Sequence, residues 1–131
     1  MLLTREFDYA MCIMRALKEG EKRSVKVICQ EEAIPEPFTY KILKKLEKNG
    51  IVKSIRGAKG GYIIARPMVE ITLMDIMLSI EPVFGIAECT KTACSRERNK
   101  EECNILGEYH RIENRLIEEM NAKNLGEIMG Q

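Results

Sequence analysis

Three observations predict a mainly α-helical chain with one small β-hairpin. Apolar residues recur at helical spacing in four segments before residue 82 and again after residue 104. Two short β-rich runs, "IVKSI" and "YIIARP", flank the glycine-rich "RGAKGG", a pattern that reads as a hairpin. Charge is also divided unevenly. Residues 34–67 carry eight Lys/Arg against two Asp/Glu, a net +6, whereas residues 1–33 balance and residues 68–131 stand at −5. A basic segment on an otherwise acidic or neutral body suggests one element that faces a polyanion, with nucleic acid the obvious candidate.

The elements follow in order. Phe7, Ala10, Met11, Met14 and Leu17 define an amphipathic helix over residues 4–18 that ends near Gly20. Ser24 is a plausible N-cap for a second, short helix that puts Val25, Ile28 and Cys29 on one side. In "PEPFTYKILKKLEKNG" the prolines suit a helix approach and first turn, Phe38, Ile42, Leu43 and Leu46 face inward, and Asn49-Gly50 supplies the stop. Two helices in tight succession, the second rich in lysine, make a helix-turn-helix. With the hairpin behind it, the unit is a winged helix-turn-helix, whose third helix enters the major groove and whose wing reaches the backbone or the minor groove.

"ITLMDIMLSIEP" predicts a fourth helix from about residue 72 to 80, with Thr72 as cap, Asp75 three residues on and Pro82 beyond its end. Near the end of the chain, Ile105, Tyr109, Ile112, Leu116 and Met120 form a narrow apolar seam, typical of helix pairing. The expected organisation is one domain: residues 1–82 as the winged helix-turn-helix region, 83–103 as a cysteine loop, and 104–131 as a long dimerisation helix and C-terminal tail.

Going round the third helix at about 100° per residue, Phe38, Ile42 and Leu46 mark the buried side, with Tyr40, Lys41, Lys44 and Lys48 broadly opposite. Thr39, Tyr40 and Lys41 in the first turns are the candidates for base edges, and Lys44, Lys45 and Lys48 for phosphates. A merely solvated lysine face is the competing reading. The adjacent basic wing argues against it: Arg56 and Lys59 supply polar reach, while Gly57, Gly60 and Gly61 permit the turn and a close backbone approach.

No apolar run approaches the roughly 18 residues that span a bilayer, and the charged opening does not resemble a secretory signal. The chain is therefore expected to be soluble and cytoplasmic. Five cysteines is an odd count, which favours reduced thiols or metal ligands over a disulfide framework. Cys29 reads as a small core residue, whereas Cys12 falls on the polar stripe of the first helix with Asp8 and Arg15. Cys89, Cys94 and Cys103 have four and eight residues between them, which is not the spacing of a zinc ribbon. The single histidine, His110, would lie roughly 10 Å along a helix that starts after Cys103, too far to share a small cluster with it.

The stretch "NGIVKSIRGAKGGYIIARPMVEITLMDIMLSIEP" closely resembles the wing and following helix of the bacterial Rrf-two (Rrf2) family, which includes IscR, NsrR, RirA and CymR. "IPEPFTYKILKKL" is similar to that family's recognition helix, and the opening Leu3-Thr4 and Tyr9-Ala10 match in register. The resemblance implies a homodimeric transcription regulator, expected to be a repressor that binds a palindromic operator in double-stranded DNA, with Arg56 directed at the minor groove or its phosphates. It also implies an iron-sulfur cluster, [2Fe-2S] or [4Fe-4S], held by Cys89, Cys94 and Cys103; soft thiolates suit such clusters. The family more often has five residues in each gap, so this loop departs by one short and one long interval. IscR-like members carry a histidine where Leu106 stands here. NsrR-like members instead resemble this chain in having a carboxylate in the first helix, at Asp8, which would reach the partner subunit's cluster. Cys12, on the same face four residues on, is a possible substitute.

The rival expectations are a clusterless regulator similar to CymR, answering to a metabolite or protein partner, and an iron-sulfur electron carrier, which would not need the basic segment. An enzyme is not expected, because no acid-base or nucleophile pair accompanies the lone histidine.

Overall fold

A computed structural model describes residues 2–94 and 103–130. Its elements are α1 (Arg5–Ala16), α2 (Val25–Glu32), α3 (Glu36–Lys48), β1 (Val52–Ile55), β2 (Gly61–Ile64), a 3-10 turn at Met68–Glu70, α4 (Leu73–Ile80), α5 (Glu88–Lys91), α6 (Asn104–Ala122) and α7 (Leu125–Ile128). Residues 95–102 of the expected cysteine loop lie outside the described residues.

The helix starts are chemically explicit. Thr4 accepts the Phe7 amide, Ser24 accepts the Val27 amide, and Thr72 and Asp75 form a reciprocal capping box. Each cap satisfies an amide that would otherwise be orphaned at a helix N-terminus. Between α2 and α3 the chain turns sharply because Ala33 adopts a left-handed conformation, φ 54°, which lets the Ile34 amide donate back to the Cys29 carbonyl. Pro35 then opens α3. This is the helix-turn-helix corner.

One core joins α1, α2, α3 and α4. Ile13, Met14, Leu17, Ile28, Ile42, Leu43, Leu46, Ile76 and Met77 are among its fully buried side chains. α3 packs on α1, α2 and α4, so the element with the lysine face is supported along its whole inner side. Two expectations about that inner side change. Phe38 is not inside but 49% exposed, and Thr39 takes the buried place at 0%. The Thr39 hydroxyl donates to the Pro35 carbonyl and accepts from the Cys29 thiol, both at 3.2 Å, which satisfies its polar atom and stitches α2 to α3. Phe38 is left at the helix flank with its ring edge to face against Tyr9, centroids 5.9 Å apart.

The hairpin pairs β1 and β2 antiparallel, with Val52 opposite Ile64 and Ile55 opposite Gly61. It is anchored to the body at two points. Arg23, just before α2, exchanges backbone hydrogen bonds with Tyr62 at 2.9 and 2.8 Å, and the Ser54 hydroxyl donates to Glu47 on α3. Gly61 is required at the first anchor, because a Cβ there would stand 2.3 Å from the Arg23 carbonyl oxygen.

The residues after α6, expected as a C-terminal tail, form α7, with Leu125 fully buried and its amide donating to the Ile71 carbonyl at 2.7 Å. Asn124 caps this turn and bridges to Thr72, so the C-terminal end of α6 returns to the winged body. The seam of α6 is consequently split. Met120 is buried within the chain, whereas Ile105, Tyr109 and Ile112 are 60%, 36% and 43% exposed. Among the described residues, no helix is long and apolar enough to cross a membrane.

Gly61→Ala should force the hairpin off Arg23 and cost about 1–3 kcal/mol, as overpacking at a close backbone approach does. Thermal denaturation would show this as a lowered midpoint; an unchanged midpoint would mean that the Arg23 anchor does not hold the hairpin.

Candidate nucleic-acid interface and cysteine cleft

α3 leads directly into the hairpin, and Glu47 of α3 accepts a hydrogen bond from Ser54 of β1. Tyr40, Lys41, Lys44 and Lys48 are exposed on α3, and Arg56, Gly57 and Lys59 are exposed in the hairpin tip. Gly57 has φ 121°, a backbone region open only to glycine, and its carbonyl accepts the Gly60 amide at 2.9 Å to close the tip. Among the described residues Lys44, Lys48, Arg56 and Lys59 are not ion-paired. Their charge faces solvent, as a phosphate-binding surface requires.

The face also has a seam between helix and wing. Tyr62 on β2 is partly buried, and burial together with Glu47 and Tyr40 pushes its phenol above the ordinary range.

Two residues expected on this surface are elsewhere. Thr39 is fully buried with its hydroxyl engaged, so it does not present an edge to the groove. Lys45 points back into the body: its ammonium donates to Glu6 of α1 at 2.6 Å and to the Ile80 carbonyl at 3.4 Å. Lys41 shares the same carboxylate more distantly, at 3.9 Å. A lysine at this helical angle has a stem long enough to reach either solvent or α1. Glu6, thirty-nine residues earlier, decides it.

The cysteines divide into two places. Cys89 and Cys94 line one cleft of ≈ 500 Å³ with Tyr109 of α6. Cys103 is the N-cap of α6, its sulfur accepting the Leu106 amide at 3.4 Å, where the positive end of the helix dipole favours negative charge. α5 and α6 pack together, with Cys89 on α5, Cys94 three residues beyond its end and Cys103 at the start of α6. Cys103 nevertheless does not line the cleft, and among the described residues no three Cys, His, Asp or Glu side chains converge as a metal site. The donor chemistry suits a soft metal cluster, but the described geometry brings together only two of the three thiols.

His110 lies on α6 as a surface residue, 3.8 Å from the Glu113 carboxylate. Glu113 itself is buried at 7% exposure, and one of its oxygens has no hydrogen-bond partner among the described residues. No feature of the sequence singled it out, because a charged residue in the middle of a charged helix normally faces water.

On α1, Asp8 is exposed and Cys12 is half-buried at the edge of the core, not fully on the polar stripe. The Arg15 guanidinium donates to the Cys12 sulfur at 3.7 Å and also to Glu32 of α2 at 3.0 Å. Burial and then the Asp8 carboxylate raise the Cys12 thiol above its ordinary value. Cys12 is thus held as a neutral thiol, a poorer ligand or nucleophile than a free cysteine. Cys29, half-buried beneath α3, is spent on Thr39.

Comparison with known proteins agrees with this architecture. The chain is 38% identical over 91 residues to Protein aau3 of Rhizobium meliloti, a match covering 68% of this chain and 59% of that protein. A second curated relative, from Aquifex aeolicus, bears an HTH-type transcriptional regulator name and is 34% identical over 79 residues, 59% of this chain and 55% of its own length. The chain thus spans between 55% and 59% of the length of these relatives. Among solved structures, CymR of B. subtilis, described as its global cysteine regulator, superposes with a TM-score of 0.76 at 23% identity, covering 97% of this chain and 95% of that one. T. potens IscR superposes with a TM-score of 0.71 at 22% identity, covering 97% and 85%. At such identities these two likenesses speak to the fold. The model of the Rrf2 family, described as iron-dependent transcriptional regulator, matches residues 3–131. With nearly every residue inside that match, the chain belongs to the Rrf2 family of transcriptional regulators, which are not enzymes.

Proposed function

We propose that this protein is a sequence-specific, DNA-binding repressor that acts as a homodimer on palindromic operators and senses iron-sulfur, redox or nitric oxide status. The observation that carries DNA binding is the exposed run of Tyr40, Lys41, Lys44 and Lys48 on α3 beside Arg56 and Lys59 of the wing, in a segment of net charge +6. α3 enters the major groove, Lys44 and Lys48 meet phosphates, and the wing reaches the backbone or minor groove.

The exposed Ile105, Tyr109 and Ile112 supply the dimer face, since a helix of this length with an uncovered apolar edge calls for a partner helix. Glu113 supports the same reading: it is buried, its Oε2 has no hydrogen-bond partner among the described residues and only the His110 ring 3.8 Å away, and a second subunit is a source of a closer donor.

Cys89, Cys94 and Cys103 would hold the cluster, with Asp8 of the other subunit as fourth ligand and Cys12 as a substitute. A cluster bound there supplies iron-thiolate chemistry that responds to oxidants and nitric oxide. The chain's own residues transmit the state. Asp8 lies half a turn from Glu6, Glu6 holds Lys45 of α3, and Lys45 also grips the Ile80 carbonyl, where the chain leaves α4 for the cysteine segment. A shift of α1 or of that segment therefore moves the recognition helix. A second reading, a clusterless regulator controlled by a metabolite or protein, rests on Cys103, whose sulfur caps α6 instead of lining the cleft.

Three measurements test these readings. Arg56→Ala should weaken operator binding by tenfold or more, about 1.4 kcal/mol, with an unaltered dimer; equal affinity in titrations at physiological salt would remove the wing from the interface. Ile112→Glu should shift the protein from dimer to monomer in sedimentation equilibrium, and a persistent dimer would place the interface elsewhere. Strictly anaerobic purification followed by visible absorbance, iron and acid-labile sulfide analysis should reveal a cluster that Asp8→Ala with Cys12→Ala perturbs. Colourless protein without iron would leave the clusterless reading.

A further inference from the structure

The first turn of α3 is chemically unusual for a helix aimed at DNA. Pro35 is its N-cap and contributes no side-chain cap, and Pro37 follows within the first turn. Proline has no N–H, so two amide donors that a helix N-terminus could offer to a phosphate are missing, and the exposed Glu36 between them adds negative charge. This end of the helix is poorly suited to a phosphate.

Its direction is set by the core. Thr39, Ile42, Leu43 and Leu46 are all buried at 0% exposure. At about 100° per residue, the line opposite their mean passes through Pro37 and Lys48, with Lys41 and Lys44 close on either side. All four of those residues are exposed. The reading side of α3 thus begins with an apolar ring, continues to the lysines, and is flanked toward the wing by Tyr40, 45% exposed. The Pro37 ring at the start of that side has no donor or acceptor to offer a base pair and can meet one only through an apolar contact. The one apolar group on the floor of the major groove is the 5-methyl of thymine.

We propose that Pro37 is a specificity-determining residue that packs on the 5-methyl group of a thymine in each operator half-site, while Lys44 and Lys48 hold the phosphates. The inference rests on the DNA-binding reading above and names the base chemistry that this surface selects. A proline also starts helices well for purely structural reasons, so the test must separate reading from folding.

Duplexes are first enriched from a random-sequence pool with the wild-type protein, and each thymine of the winning duplex is then replaced singly by deoxyuridine, which lacks only the methyl. Binding should fall about fourfold per half-site at one symmetric pair of positions, the effect of uncovering one methyl-sized group. Pro37→Ser should bind the thymine and uracil duplexes equally, while keeping wild-type affinity for an unrelated duplex. Lys48→Ala should weaken every duplex alike and retain the methyl dependence. Absence of methyl dependence in the wild type, or its survival in Pro37→Ser, overturns the assignment and leaves DNA binding standing. Failure to enrich any sequence overturns the DNA-binding reading itself.

Discussion

The buried face of α3 sets the geometry of everything outward of it. Thr39, Ile42, Leu43 and Leu46 are wedged among α1, α2 and α4, and because a helix has a fixed rotation per residue, burying those four dictates which residues meet solvent. Pro37, Lys41, Lys44 and Lys48 are exposed as a consequence of that packing. The wing is then registered on the same helix through Ser54 and Glu47, and on the start of α2 through Arg23 and Tyr62. Helix and hairpin therefore form one rigidly related surface on one core.

A partly buried ion pair also ties this helix to the rest of the body. Lys45 leaves the helix sideways to reach Glu6 at the start of α1 and the carbonyl that ends α4. The contact is partly buried, where an ion pair is less screened than at the surface. It ties the recognition helix to two chain segments that lead to Asp8 and to the cysteines. In a protein whose proposed task is to turn ligand state into DNA affinity, such a contact gives a local change at either segment a mechanical route to the reading head.

Much of this was legible in the residues. The caps at Ser24 and Thr72, the helix periodicities and the glycine-rich hairpin all depend on groups a few positions apart, and each formed where its local chemistry placed it. Phe38 and Thr39 exchanged places because neighbouring positions differ by only about 100°. Hydrophobicity favours the phenylalanine inside, but the threonine hydroxyl finds both Pro35 and Cys29 there and loses nothing by burial. Lys45 and α7 were unreadable for a different reason. Their partners, Glu6 and Ile71, are remote in sequence, and pairing over such separations leaves no periodic trace.

By itself, then, the sequence determined the kind of molecule: its helices, its hairpin, the basic segment they share and the family those motifs mark. These follow from local hydrogen bonding, periodicity and composition, which act within a few residues. Only the tertiary structure decided which lysine serves the body instead of the surface, that Cys89 and Cys94 share a cleft while Cys103 caps a helix, and that half of the α6 seam stays uncovered. Those outcomes depend on the distances between elements, and packing fixes such distances only once the whole core has closed.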